Sequence, residues 1–155
     1  MAGTEKHLAD PAGRDGFHRG LYKVGQASLS PATGQTPGMR RVEAIAGATV
    51  GSTDLWMGQT HVAPRTTSAN HHHGRSETGI YVVSGHPEFV FLDGAEETRL
   101  RAEPGDYIYV PPWVPHREEN PDPDSEAVVV IARTTQEAIV VNLTSLRWVG
   151  PSGPE

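Results

Sequence analysis

The chain has 155 residues, a formal net charge of −6 at pH 7 and no cysteine. This length suits a single domain and leaves too few residues for a second substantial core. The acidic balance, with no basic run longer than Arg40 and Arg41, argues against nucleic acid as a partner. Without cysteine there are no disulfides and no thiolate ligands, so any metal must be held by imidazole and carboxylate groups.

The sequence also argues against membrane association. No stretch approaches the roughly 18 apolar residues that a membrane span needs. The first residues, MAGTEKHLADPAGRDG, lack the apolar centre of a signal peptide. We therefore expect a cytoplasmic protein that does not act at a membrane.

The N-terminal part of the chain predicts a flexible arm followed by short strands. Residues 1–20 are polar and glycine-rich without periodicity, which is typical of an arm. We expect a barrel domain over 21–148 and a flexible tail over 149–155. Its first β-prone runs are LYKVGQAS, MRRVEAIAG and LWMGQTHVA, which are separated by turn-forming segments rich in Pro, Gly, Asp and Ser.

The segment 55–143 carries the strongest strand signals. The runs GIYVVSG, EFVFLDG, TRLRAEPGDYIYVPP, EAVVVIART and AIVVNL follow one another at the spacing of a barrel or sandwich. The 17 glycines and 13 prolines punctuate these runs and leave no amphipathic helix of useful length. The predicted fold class is all-β and antiparallel.

The motif NHHHGRSE is the most informative in the chain. Alternate side chains of a strand point to one face, so His71 and His73 are expected together while His72 points away. A turn or bulge at Gly74 would bring the carboxylate of Glu77 to the same face. The alternative is a solvated loop; a remnant of a purification tag is disfavoured because the run is internal and stops at three histidines.

A further histidine, His116, follows the strand-like run PGDYIYVPPWVPH and would reach the same point from another strand. The predicted site is one divalent transition metal ion per chain held by His71, His73, Glu77 and His116. Three imidazoles and one carboxylate suit Fe, Zn, Mn, Ni or Cu and do not choose between them.

The order and spacing of these residues resemble the two motifs of the cupin superfamily, in particular its small single-domain members. The first motif is matched by His71, His73, Glu77 and Gly85, although the last spacing is one residue longer than usual. The second is matched closely by Gly105, Pro111, His116 and Asn120, with Trp113 where a glycine is common. The resemblance covers roughly 55–143. It implies a jelly-roll barrel, often dimeric, with the metal inside near one end.

Several other residues are candidates for a substrate pocket, and each also has a purely structural interpretation. His61 would be a base or substrate contact, or else a surface histidine. Glu118 and Asn120 alternate with His116 and could orient ligands or water. The pocket candidates are His61, Tyr81, Trp113 and Asn120. The catalytic acid or base is not assigned, and we expect the other histidines, including His72 and His86, to be solvated.

The resemblance favours a metal-dependent enzyme that acts on a small organic molecule. The leading class is an oxidoreductase, namely an oxygenase or dioxygenase. A non-redox isomerase, lyase or cyclase is the main alternative. A non-catalytic small-molecule-binding protein is the third. We also predict a homodimer, because small barrels of this kind often exchange terminal strands and AIVVNL is set apart by a turn.

Overall fold

The structure, a computed structural model, describes residues 20–151. The arm expected over 1–20, apart from Gly20, and residues 152–155 of the expected tail lie outside the described residues. Within them no helix is long and apolar enough to cross a membrane.

The described chain is nearly all strand, as predicted. A 3-10 helix at Gln26–Ser28 and a short helix α1 at Gly47–Val50 are the helical elements of the described part. The strands are β1 Met39–Ile45, β2 Trp56–Val62, β3 Thr66–Thr67, β4 His71–His72, β5 Thr78–Ser84, β6 Glu88–Asp93, β7 Glu96–Arg101, β8 Tyr107–Val110, β9 Arg117–Asn120, β10 Ala127–Arg133 and β11 Val141–Asn142.

Most strand predictions are confirmed, with two differences. The run LYKVGQAS contains the 3-10 helix rather than a strand. The run TRLRAEPGDYIYVPP is divided between β7 and β8, because the Pro104–Gly105 pair forms a turn between them.

The strands form two main antiparallel sheets and a small third one. The five-stranded sheet has the order β1-β2-β10-β5-β8, and the four-stranded sheet has the order β3-β9-β6-β7. Strands β4 and β11 pair separately. The alternating burial of β2 and β5 shows that each presents one face to the interior, as expected for a closed antiparallel fold.

The apolar core lies between these two sheets. Ile80 and Val82 of β5 pack with Phe89 of β6 and with Val110 and Val129. The side chain of Val82 is fully buried. Since successive residues of a strand point to opposite faces, this core identifies Thr78, Ile80 and Val82 as the inward face of β5. The residues of opposite parity on β5 point outward.

Gly85, the glycine that closes the first motif, allows two backbone segments to approach closely. Its φ of +80° lies in the left-handed region, and a Cβ there would lie 2.6 Å from Cα of Ala127. Gly94 also has a positive φ, +64°, but a Cβ at that position would contact nothing within 4 Å. Comparing the two positions therefore separates the cost of a positive φ from the cost of steric crowding around an added Cβ.

We expect Gly85→Ala to lower the free energy of unfolding by about 2–4 kcal/mol, because it adds a backbone clash to the conformational strain. Gly94→Ala, the matched control, carries the strain alone and should cost about 1 kcal/mol. Urea denaturation of both variants measures the difference. Equal losses would show that the approach to Ala127 does not constrain the barrel.

Candidate metal centre

Four potential ligands converge at one point. They are His71, His73, His116 and Glu118, and one donor atom from each lies within 4.8 Å of the others. The ring centroids of His71 and His116 are 4.5 Å apart, and His73 lies 4.8 Å and 5.0 Å from these two rings. The three histidines that the sequence analysis selected are therefore brought together.

Backbone pairing places the segments of His71 and His116, which are far apart in sequence, side by side. The His71 N–H donates to the His116 carbonyl at 3.0 Å, and the His116 N–H donates to the His71 carbonyl at 2.9 Å. Glu118 lies two residues beyond His116, so an extended chain points both side chains the same way. The His116 Nε2 and a Glu118 carboxylate oxygen are 3.9 Å apart.

The hydrogen bonds of the three imidazoles fit a metal centre. Nδ1 of His71, His73 and His116 lies 2.7, 2.9 and 3.0 Å from the carbonyls of Ala69, Ile139 and Val114. A carbonyl only accepts, so these bonds assign the proton to Nδ1 and leave Nε2 with a free lone pair. Nε2 of His116 is buried and has no hydrogen-bond partner in the described part of the chain.

The electrostatics of the cluster favour the ligating protonation states. Burial, with the neighbouring His71 and His116, lowers the pKa of His73 to about 4. Burial and His71 also lower the pKa of His116. Both imidazoles are therefore neutral near pH 7, which is the form that binds metal. Burial acts to raise the pKa of Glu118, but the surrounding histidines of the cluster together with the cation Arg41 outweigh it and hold that pKa below its usual value.

The structure does not bring the predicted fourth ligand, Glu77, to this cluster. Glu77 is exposed and accepts a hydrogen bond of 2.7 Å from the Tyr109 hydroxyl. Since Thr78, Ile80 and Val82 form the inward face of β5, Glu77 points outward. Glu118 from β9 supplies the carboxylate instead. The signal was present in the sequence: one extra residue between Glu77 and Gly85 reverses the parity of Glu77.

His72 corrects a second expectation, since it is fully buried rather than solvated. Its Nδ1 accepts a hydrogen bond of 3.0 Å from the Gly74 N–H. Its ring meets the edge of Trp113, with centroids 5.6 Å apart. The backbone N–H of Trp113 in turn donates to the Gly74 carbonyl at 2.8 Å, and Trp113 has a φ of +68°. His72 thus contacts both Gly74, in the turn that follows His73, and Trp113.

The four pocket candidates lie outside the cluster. Trp113 packs on His72 rather than lining the large cavity described below. Asn120 is fully buried, and its amide group donates to the carbonyls of Val62, Ala63 and Ser125, so it ties loops to the barrel.

The other two candidates lie on the outer face of the five-stranded sheet. His61 contacts Glu126, with Nδ1 and a carboxylate oxygen 3.2 Å apart. Tyr81 is partly exposed and its ring packs at a tilt against that of Tyr107, with centroids 4.8 Å apart and planes at 49°. Neither side chain points into the barrel, because inward positions of β2 and β5 have the opposite parity.

Comparisons with known proteins agree with the antiparallel barrel fold. Residues 58–132 match the family model described as a cupin domain. KdgF from Halomonas sp. is similar at 23% identity and a TM-score of 0.51, over 66% of this chain and 83% of that one. No curated protein matches the chain.

Two larger proteins share the same fold. Oxalate decarboxylases of Lactobacillus farciminis and Bacillus subtilis have TM-scores of 0.62 and 0.61 at 16% and 21% identity. The matches cover 75% and 71% of this chain but only 34% and 29% of the decarboxylase chains. At these identities the similarity shows the fold alone, an antiparallel jelly-roll barrel.

Glu118 and Glu77 provide a direct test of the ligand set. We expect Glu118→Gln to weaken Zn²⁺ or Mn²⁺ binding by more than the roughly 100-fold that loss of a supporting hydrogen bond can cost. Glu77→Gln, the matched control, should leave metal affinity unchanged. Isothermal titration of both variants measures the affinities, and a larger loss in Glu77→Gln would reverse the assignment.

Proposed function

We propose that this chain, whose residues 58–132 match the model of a cupin domain, is a cupin and a metal-dependent enzyme that acts on a small organic molecule. The observation that carries the proposal is the convergence of three imidazoles and one carboxylate within 4.8 Å of one another. Such a set on barrel strands is preorganised, because backbone carbonyls already orient each imidazole.

The ligand set supports catalysis rather than a purely structural role. Four protein ligands leave one or two positions open on a five- or six-coordinate ion, as catalytic sites require. When bound, a divalent ion would supply a Lewis acid or, if redox-active, a site for oxygen chemistry. The chain's own contribution is to hold the three Nδ1–H groups in hydrogen bonds to backbone carbonyls and to keep the Glu118 carboxylate ionised.

We favour an oxygenase as the reaction class, because an imidazole-rich ligand set suits iron and permits oxygen chemistry. A non-redox isomerase, lyase or cyclase is the second candidate. It is supported by the similarity to the Bacillus subtilis oxalate decarboxylase, a protein with Mn(II) centres.

The two classes differ in metal content and in oxygen uptake. The first experiment is elemental analysis of untagged protein purified without chelator or added metal. Near-stoichiometric iron or copper, with substrate-dependent oxygen consumption, would support the oxygenase. Manganese, zinc or nickel with turnover in the absence of oxygen would support the non-redox class. No metal after reconstitution would overturn the proposal in favour of a binding protein.

We expect His73→Ala and His116→Ala each to abolish stoichiometric metal binding and activity while the barrel still folds. Each removes one imidazole, whereas the β-pairing of the His71 and His116 backbones needs no side chain. His86→Ala is the control, because that histidine is exposed and outside the cluster. Circular dichroism checks that each variant folds, and elemental analysis measures its metal content. Full metal content in both cluster variants would contradict the ligand assignment.

The homodimer and the cytoplasmic location also remain proposals. The strand proposed for exchange, β11, pairs with β4 of its own chain, with Val141 opposite His72. In an exchanged dimer the same pairing would form between β11 of one chain and β4 of its partner. Light scattering at micromolar concentration checks it: we expect a mass twice that of the 16.7 kDa chain, and a clean monomer would remove the proposal.

A further inference from the structure

A cavity of about 540 Å³ lies beside the ligand cluster. Its wall is mainly apolar and is built by Phe89, Phe91, Leu100, Ile108, Val110 and Val114. No lysine, arginine, aspartate or glutamate of residues 20–151 lines it. A volume of this size is in the range of small-molecule sites and far exceeds the voids of ordinary packing.

The cavity and the cluster share one residue, His116. The register of β6 and β9 explains the proximity, because Phe89 lies directly opposite Glu118. Phe89 and Phe91 are two residues apart and therefore share a face of β6. The aromatic wall thus runs along the strand that adjoins the strand of His116 and Glu118.

Few polar side chains are available to a molecule in this cavity. Tyr109 contributes to the lining, but its hydroxyl is already donated to Glu77 at 2.7 Å. Trp148 also contributes and is 61% exposed, which suits a position near the mouth. Polar recognition inside the cavity is therefore concentrated at the His116 end.

We infer that this cavity is the substrate chamber and that it takes a neutral, largely apolar molecule with a flat ring, which presents one polar atom towards His116. The inference rests on the proposed function and names its substrate class. Of the two carboxylates of a dicarboxylate, only one could approach the metal end; the other would lose its hydration against an uncharged wall, and an unpaired buried charge is costly. A ring gains from the apolar area and from Phe89 and Phe91.

The test uses full-length protein reconstituted with Zn²⁺, with indole as the neutral ring probe and malonate as the dicarboxylate. Isothermal titration should show indole binding and at least tenfold weaker malonate binding. Leu100→Trp, which fills the cavity, should weaken indole binding at least tenfold. Val83→Trp is the control: Val83 and Leu100 are similarly exposed, at 45% and 42%, and Val83 does not line the cavity.

A second readout locates the probe. In Mn²⁺-reconstituted protein, indole protons should show strong paramagnetic relaxation that Leu100→Trp removes. Tighter malonate than indole binding, or indole binding that Leu100→Trp leaves unchanged, would overturn the inference while normal metal content left the proposed function standing. Failure to take up metal would instead overturn the proposed function. In that case the effect of Leu100→Trp on indole binding would still decide whether the chamber accepts a ring.

Discussion

The reciprocal backbone hydrogen bonds between His71 and His116 are the interaction on which the site depends. They join two segments that are 45 residues apart in sequence, at 3.0 Å and 2.9 Å. One bridge sets the separation of two ligands, and the neighbouring positions of each strand bring in His73 and Glu118. Because main-chain atoms make this bridge, the frame of the centre does not depend on the ligand side chains.

Backbone atoms also orient the imidazole rings. His71 and His116 each place Nδ1 on the carbonyl two residues earlier, Ala69 and Val114. These contacts are local in sequence. His73 differs, because its partner is the carbonyl of Ile139, 66 residues away. The orientation of His73 therefore depends on the segment that leads into β11, which pairs with β4.

How far sequence could predict the site follows from which contacts are local. Strand alternation was enough to pair His71 with His73, and the motif spacing was enough to find His116. The carboxylate was missed because a one-residue change in spacing reverses the parity of Glu77, whereas Glu118 follows the parity of His116. The burial of His72 was also missed, since it depends on β11 and on Trp113, contacts that only the folded chain creates.

Taking the carboxylate from Glu118 on β9, and not from Glu77 just before β5, changes the surroundings of the chamber as well as the ligand set. With Glu77 turned outward, the inward position is held by Thr78, and the β5 wall beside the centre carries no charge. The charge of the site then lies on the strand of His116, next to the aromatic side chains of β6. Imidazole binds metal in its neutral form, so three imidazole ligands and one carboxylate would contribute a single negative charge, and a divalent ion would leave the centre electropositive. An apolar wall with one electropositive end favours a molecule that is apolar over most of its surface and polar at one atom.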